Sequence, residues 1–137
     1  TIASGFYFPA GLAVDGGNAY VADSIMGAVF QIIRDGEVLE EPEIVASGLA
    51  GPEGIALHAN GNKLLVVEGE TSSLKEINLI SGKVKTVATE LGFQASVAPS
   101  LPAQWFNDVD VDSTGAMYVN SDGTNVIYKL RSHGNVK

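Results

Sequence analysis

The feature that most constrains this chain is that its sequence repeats itself. Phe8-Pro-Ala-Gly-Leu-Ala-Val-Asp15 is matched by Gly51-Pro-Glu-Gly-Ile-Ala-Leu-His58 and again, displaced by a residue at its start, by Phe106-Asn-Asp-Val-Asp-Val-Asp112. After each comes a turn and a second apolar run: Ala19-Tyr-Val-Ala-Asp23, Leu64-Leu-Val-Val-Glu68 and Met117-Tyr-Val-Asn120. A third run follows in each unit, ending at Arg34-Asp-Gly36, Ile80-Ser-Gly82 and Ser132-His-Gly134. The first two units close with a fourth, Glu43-Ile-Val-Ala46 and Lys83-Val-Lys-Thr-Val-Ala88. Short apolar runs bounded by Gly, Asn and Asp turns are strands, and no segment sustains a helical period. The composition agrees: 45% apolar, 18% charged and 16 glycines in 137 residues suit buried strands joined by tight turns.

Four antiparallel strands in repeats of roughly 40 to 45 residues are the unit of a β-propeller. The sequence therefore predicts an all-β chain of three four-stranded antiparallel blades, half of a six-bladed ring. The blades are expected over residues 9–48, 52–91 and 106–137, with a long loop at 92–105 and residues 1–5 acting as a closing strand. That last expectation comes from the termini. The third unit stops at Gly134-Asn-Val-Lys137, and joining it to Thr1-Ile-Ala3 copies Gly82-Lys-Val-Lys-Thr-Val-Ala88. A lone half-ring would expose blade faces and a sheet edge. The expected assembly is a homodimer completing six blades, with a fragment of a longer propeller as the alternative.

Charge narrows the partners. Sixteen acidic against eight basic side chains give a net charge of -8, with no local Lys/Arg cluster, so neither nucleic acid nor an anionic membrane is an expected partner. No apolar run is long enough to span a bilayer, and no leader is visible. The absence of cysteine removes disulfides, zinc-thiolate sites and a thiol nucleophile, and leaves the compartment open.

Pro-x-Gly-Ile/Leu-Ala-Val-Asp followed by Tyr-Val-Ala-Asp resembles NHL repeats, and Trp105-Phe-Asn-Asp108 with Val111-Asp-Ser-Thr-Gly115 resembles the Phe-Asn-Asp segment of the gluconolactonase/regucalcin family, with a similar Asn-Asp pair in paraoxonases. In those enzymes a calcium or other divalent ion lies at the mouth of the central channel, held by oxygen side chains at the start of the innermost strands. That repeat position is here Ala10, Glu53 and Asn107, with Asp108 beside the last. The resemblance thus implies a metal site of Glu53, Asn107 and Asp108, with Glu53 or Asp108 as proton acceptor and Asn107 also against the substrate. Ala10 departs from the pattern, since it cannot ligate. The residues alone also admit a plainer reading: Asn and Asp at strand starts cap turns, and a Glu in Pro-Glu-Gly can be merely solvated.

Other acids carry less. Asp108, Asp110 and Asp112 alternate like the opening of a calcium loop, but the required Gly and distal Glu are missing. Asp112 aligns with Asp15 as a turn residue, Asp110 aligns with Ala13 and Ala56 without evident role, and Asp23 and Glu68 align as structural strand ends. There is no Gly-x-Ser-x-Gly elbow, and His58 and His133 fall in expected turns. The 92–105 loop lengthens its repeat and delivers Trp105, the sole tryptophan, beside Asn107, where it would form a pocket wall or cover a blade seam. Two functions follow: a divalent-metal-dependent hydrolase of lactones or related esters, and a non-catalytic propeller scaffold binding a protein or carbohydrate partner.

Overall fold

A computed structural model describes residues 1–58, 61–93 and 107–131. Eleven strands and no helix are found among them, in three antiparallel sheets. The first contains β1 (Pro9–Asp15), β2 (Asn18–Asp23), β3 (Ala28–Arg34) and β4 (Glu37–Ser47), each paired with the next. The second repeats this order with β5 (Pro52–Leu57), β6 (Lys63–Glu68), β7 (Ser73–Asn78) and β8 (Val84–Ala88). The third has β9 (Val109–Val111), β10 (Ala116–Ser121) and β11 (Val126–Arg131). Each sheet is one blade of a propeller. Among the described residues no helix is long and apolar enough to cross a membrane.

Side-chain alternation along the strands builds the seams between blades. Ala13, Tyr20, Ala22 and Val29 of the first blade pack with Ile55, Leu64, Val66 and Ile77 of the second. The opposite face of the second blade, Ala56, Leu65, Val67 and Leu74, packs with Val109, Met117 and Val119 of the third. Leu64, Leu65, Val66, Val67, Leu74 and Ile77 are all completely buried, so the middle blade is core on both faces. We call the face of each blade that meets the preceding one its leading face, and the other its trailing face. The inner strands β1, β5 and β9 lie side by side and line a concavity of about 670 Å³. They come close because of Gly11 and Gly54: a Cβ on Gly11 would overlap the Glu53 carbonyl, and one on Gly54 would overlap Asp108 and Asn107.

Two details differ from the sequence reading, the extent of β4 and the form of residues 1–5. β4 begins at Glu37, ahead of the expected Glu43, and runs for 11 residues along the outer edge, where Pro42 is tolerated because its missing N–H faces no partner strand. The third sheet has three strands, and Ser132–Lys137 lie outside the described residues. Residues 1–5 form no strand within the chain. They are nevertheless set down like one: Ala3 and Phe6 pack on Ala19, Val21 and Ile32 of the first blade, as the equivalent Ala46 and Leu49 pack into the next seam. Phe6 meets Phe30 edge to face, with ring centroids 5.5 Å apart.

Candidate functional site

The site is built from the first residues of the inner strands. Glu53 is the second residue of β5, only 2% exposed, and Asn107, two residues before the short β9, is 3% exposed. The structure brings them together across the second seam: Asn107 Nδ2 donates to Glu53 Oε2 at 3.1 Å. Asn107 Oδ1 accepts the Asp122 backbone N–H at 3.0 Å, so the amide bridges two blade elements with one lone pair of its oxygen to spare. Glu53 Oε1 is buried and has no hydrogen-bond partner among the described residues. It lies over Gly69, where any side chain would overlap it.

A carboxylate so placed is hard to keep charged, and no Lys or Arg forms an ion pair with it among the described residues. Burial pushes the Glu53 carboxyl up to about 7. The Asn107 hydrogen bond pulls the other way, and the nearby charge of Asp122 adds to the rise.

Asp108 shares the mouth but not the burial. It is exposed, its Oδ1 accepts the Val109 N–H at 2.9 Å, and its own N–H donates to Asn120 Oδ1 at 2.6 Å. Ala10 occupies the same repeat position in β1 and offers no donor atom. Trp105 lies outside the described residues, as does His133. His58 follows β5 at the opposite end of the inner strand, tied into its hairpin through its backbone, and is remote in sequence register from Glu53. Among the described residues no group of three or more His, Cys, Asp or Glu side chains is arranged to hold a metal. Glu53 meets instead an amide and a more distant carboxylate.

Asp23 and Glu68 close turns. Asp23, wholly buried at the end of β2, accepts the N–H groups of Tyr7, Phe8, Ile25 and Met26. Glu68, at the end of β6, accepts from the Ala50 N–H, Thr71 and Ser73. Burial would raise the Glu68 carboxyl, but these hydrogen bonds and the Lys75 charge outweigh it and leave it below its ordinary value. In both blades the acid pins the incoming connection to the outgoing turn.

Asp122 escaped the sequence reading. The second strands end on Asp23, Glu68 and Ser121, so the next residues, Ser24, Gly69 and Asp122, share a repeat position. In the third blade Ser121 takes over the clasp: its Oγ donates to the Gly92 carbonyl and accepts from the Thr124 N–H. The acid has moved one residue on, beside Asn107. The signal was in the sequence, as Asp-Ser in the first blade against Ser-Asp in the third.

No protein-family model matches this sequence, and none of the curated proteins does. Solved structures do. A structure of a nidogen/laminin complex matches with a TM-score of 0.69 at 14% identity, over 91% of this chain and 44% of that one. A gluconolactonase from Xanthomonas campestris matches with a TM-score of 0.69 at 14% identity, over 96% and 46%. A catalytically inactive virginiamycin B lyase from Staphylococcus aureus, solved with quinupristin, matches with a TM-score of 0.62 at 17% identity, over 93% and 39%. This chain thus spans less than half the length of each, and what it shares with them is the propeller fold.

Proposed function

We propose that this chain is a divalent-metal-dependent hydrolase of lactones or related esters, with calcium as the metal. The observation that supports it most is the buried Glu53 Oε1, a formally charged oxygen without a partner at the start of an inner strand. An all-oxygen donor set suits a hard cation, and water can fill coordination positions that the protein leaves open. Glu53 and Asn107 would hold the ion, with Asp108 beside them. A bound divalent ion would polarise the ester carbonyl and acidify water. The remaining work would belong to the chain: Asn107 would orient Glu53, and Asp108, exposed at the same mouth, would take a proton from water. Trp105 would form the pocket wall. In keeping with this reading, one of the similar structures is of a gluconolactonase.

The test is hydrolysis of simple aldonolactones. Activity should require a divalent ion, vanish on chelation, and fall on the order of a hundredfold or more in Glu53→Gln and Asp108→Asn. Full activity after chelation would overturn the mechanism. A second reading, a non-catalytic scaffold for a protein or carbohydrate partner, is favoured by Ala10, which leaves one strand start without a donor. Intact metal binding with no turnover of any lactone would select it.

For assembly we propose a second copy completing a six-bladed ring, each chain's Thr1–Ala3 pairing with the other's β11. The rival is that the remaining blades belong to the same, longer protein. The placement of Ala3 and Phe6 as an outer strand ahead of the first blade supports both. Neither nucleic acid nor a membrane surface suits the acidic chain.

A further inference from the structure

The two ends of the first blade differ in chemistry. Its turns away from the mouth, at Gly16-Gly17 and Asp35-Gly36, carry no apolar side chain. Its mouth end exposes Tyr7 at 74%, Ile25 at 61% and Met26 at 42%, with Pro9 and Ala10 exposed beside them. One buried carboxylate fixes that set: Asp23 accepts the Tyr7 N–H on one side and the Ile25 and Met26 N–H groups on the other. Pro9 pairs with Asp23, and Ala10 follows it into the lining of the concavity, so the apolar set is continuous with the wall of the site. Neighbouring strands lie about 4.8 Å apart, and the turn joins β2 to β3, which places it roughly one to two strand spacings outside the inner strand.

The repeat shows what is particular to this blade. In the second blade the same clasp holds Ala50, and its turn carries Glu70-Thr71; the turn of the third carries Gly123-Thr124. The clasp does not ask for apolar residues, because its hydrogen bonds come from backbone N–H groups. Apolar side chains held out in water by a rigid turn, at the edge of a pocket, favour a ligand that covers them. Ala10, which adds no donor to the metal site, keeps the path from the concavity to that turn apolar. We infer that the first-blade rim of Tyr7, Ile25 and Met26 holds an alkyl or acyl chain, so that the site takes lactones or esters carrying such a chain in preference to polyhydroxylated sugar lactones. This inference rests on the hydrolase reading proposed above for the reacting end of the ligand, and it narrows the substrate class.

Calorimetry in calcium with hydrolysis-resistant δ-lactams bearing alkyl chains of increasing length tests the rim apart from turnover. Affinity should rise by about two- to fourfold per methylene over the first several, the range from partial to full burial. The double variant Ile25→Glu/Met26→Thr copies the turn of the second blade and keeps every backbone N–H of the clasp. It should lower the affinity for an octyl lactam by about tenfold or more and flatten the dependence on chain length. Tyr7→Ala, which copies Ala50, should do the same to a smaller extent. Ile80→Glu removes an even more exposed isoleucine, at the other end of the second blade, and should leave the dependence intact. No binding, affinity independent of chain length, or a dependence that neither rim variant moves would overturn the inference; hydrolysis of unsubstituted lactones would then leave the hydrolase reading standing. Chain-length-dependent binding that the rim variants abolish, without turnover of any lactone, would overturn the hydrolase reading and support the rim as a site for an apolar chain. If the unmodified protein scatters light as a dimer and the double variant as a single chain, a second copy covers the turn and the inference falls.

Discussion

At one end of the arc, the leading face of the first blade exposes Leu12, Val14 and Ile44, at 63%, 65% and 64%, beside Val21, Phe30 and Ile32. At the other, the trailing face of the third blade carries Asp110, Tyr118, Asn120 and Lys129, with Lys129 4.9 Å over the Tyr118 ring and Ile127 the apolar interruption. The first face has the composition of an inter-blade seam. The second does not: Asp110 stands where Ala13 and Ala56 stand in the two buried seams, and Asn120 where Ala22 and Val67 stand. The ends are therefore not equivalent halves of one interface. A homodimeric ring would lay the polar face on the apolar one, burying an acid against Leu12 and Val14, whereas a blade with an apolar trailing face would suit the first blade better.

That comparison can be broken in several places. The largest effect belongs to the seams themselves: Leu65→Ala, at a completely buried position between the second and third blades, should cost about 3 kcal/mol in denaturant unfolding. A loss below about 1 kcal/mol would show that the seams are loosely packed and that their contrast with the open faces means little.

Next comes Glu53. Its folded carboxyl keeps a proton up to about 7, while an unfolded one releases it near its ordinary 4.5. Folding thus takes up a proton between those values, and stability contributed by the protonated form declines as pH rises through that window. Glu53→Gln should abolish the decline and, in chelator at pH 8, be more stable than the unmodified chain by about 2 kcal/mol, with the gap closing by pH 5. Parallel pH–stability curves for the two proteins would refute it.

A smaller effect distinguishes the open faces. If a second copy covers the first blade, light scattering should give about twice 14.3 kDa, and Leu12→Asp should return it to the single-chain mass. A single-chain mass for the unmodified protein, with Leu12→Ala costing less than about 0.5 kcal/mol, would show that this face meets only water. The subtlest change is Asp110→Ala. In an isolated chain it should alter stability by less than about 0.5 kcal/mol, but in a homodimer it should lower the dissociation constant measurably, because it restores the alanine of the other seams. Equal dissociation constants would mean that the third blade's trailing face is not buried by self-association.

The repeat made the strands legible, because each begins or ends at a Gly, Asn or Asp turn and the same order recurs in each unit. It also made Asp23 and Glu68 legible as structural acids at strand ends, though not the turns that they clasp. The extent of β4 was not, since Glu37–Pro42 carries no apolar alternation and is held as an edge strand by pairing with β3. Asp110 had no evident role because the sequence does not say which blade face is left open. The resemblance points to Glu53 and Asn107 at their strand starts, but their contact crosses a seam between residues 54 apart. Asp122 was hidden by a one-residue exchange that moves an acid from the clasp to the mouth, which a strict alignment of strand ends reads as a loss rather than a relocation.

The glycines that let neighbouring inner strands touch have no counterpart in the third blade, where Asp108 fills that repeat position. Gly11 and Gly54 act as thin washers between successive spokes, fixing how tightly each turns against the next. A neighbour packed on the third inner strand at that position would meet the exposed Asp108 side chain, where the first two inner strands offer only backbone.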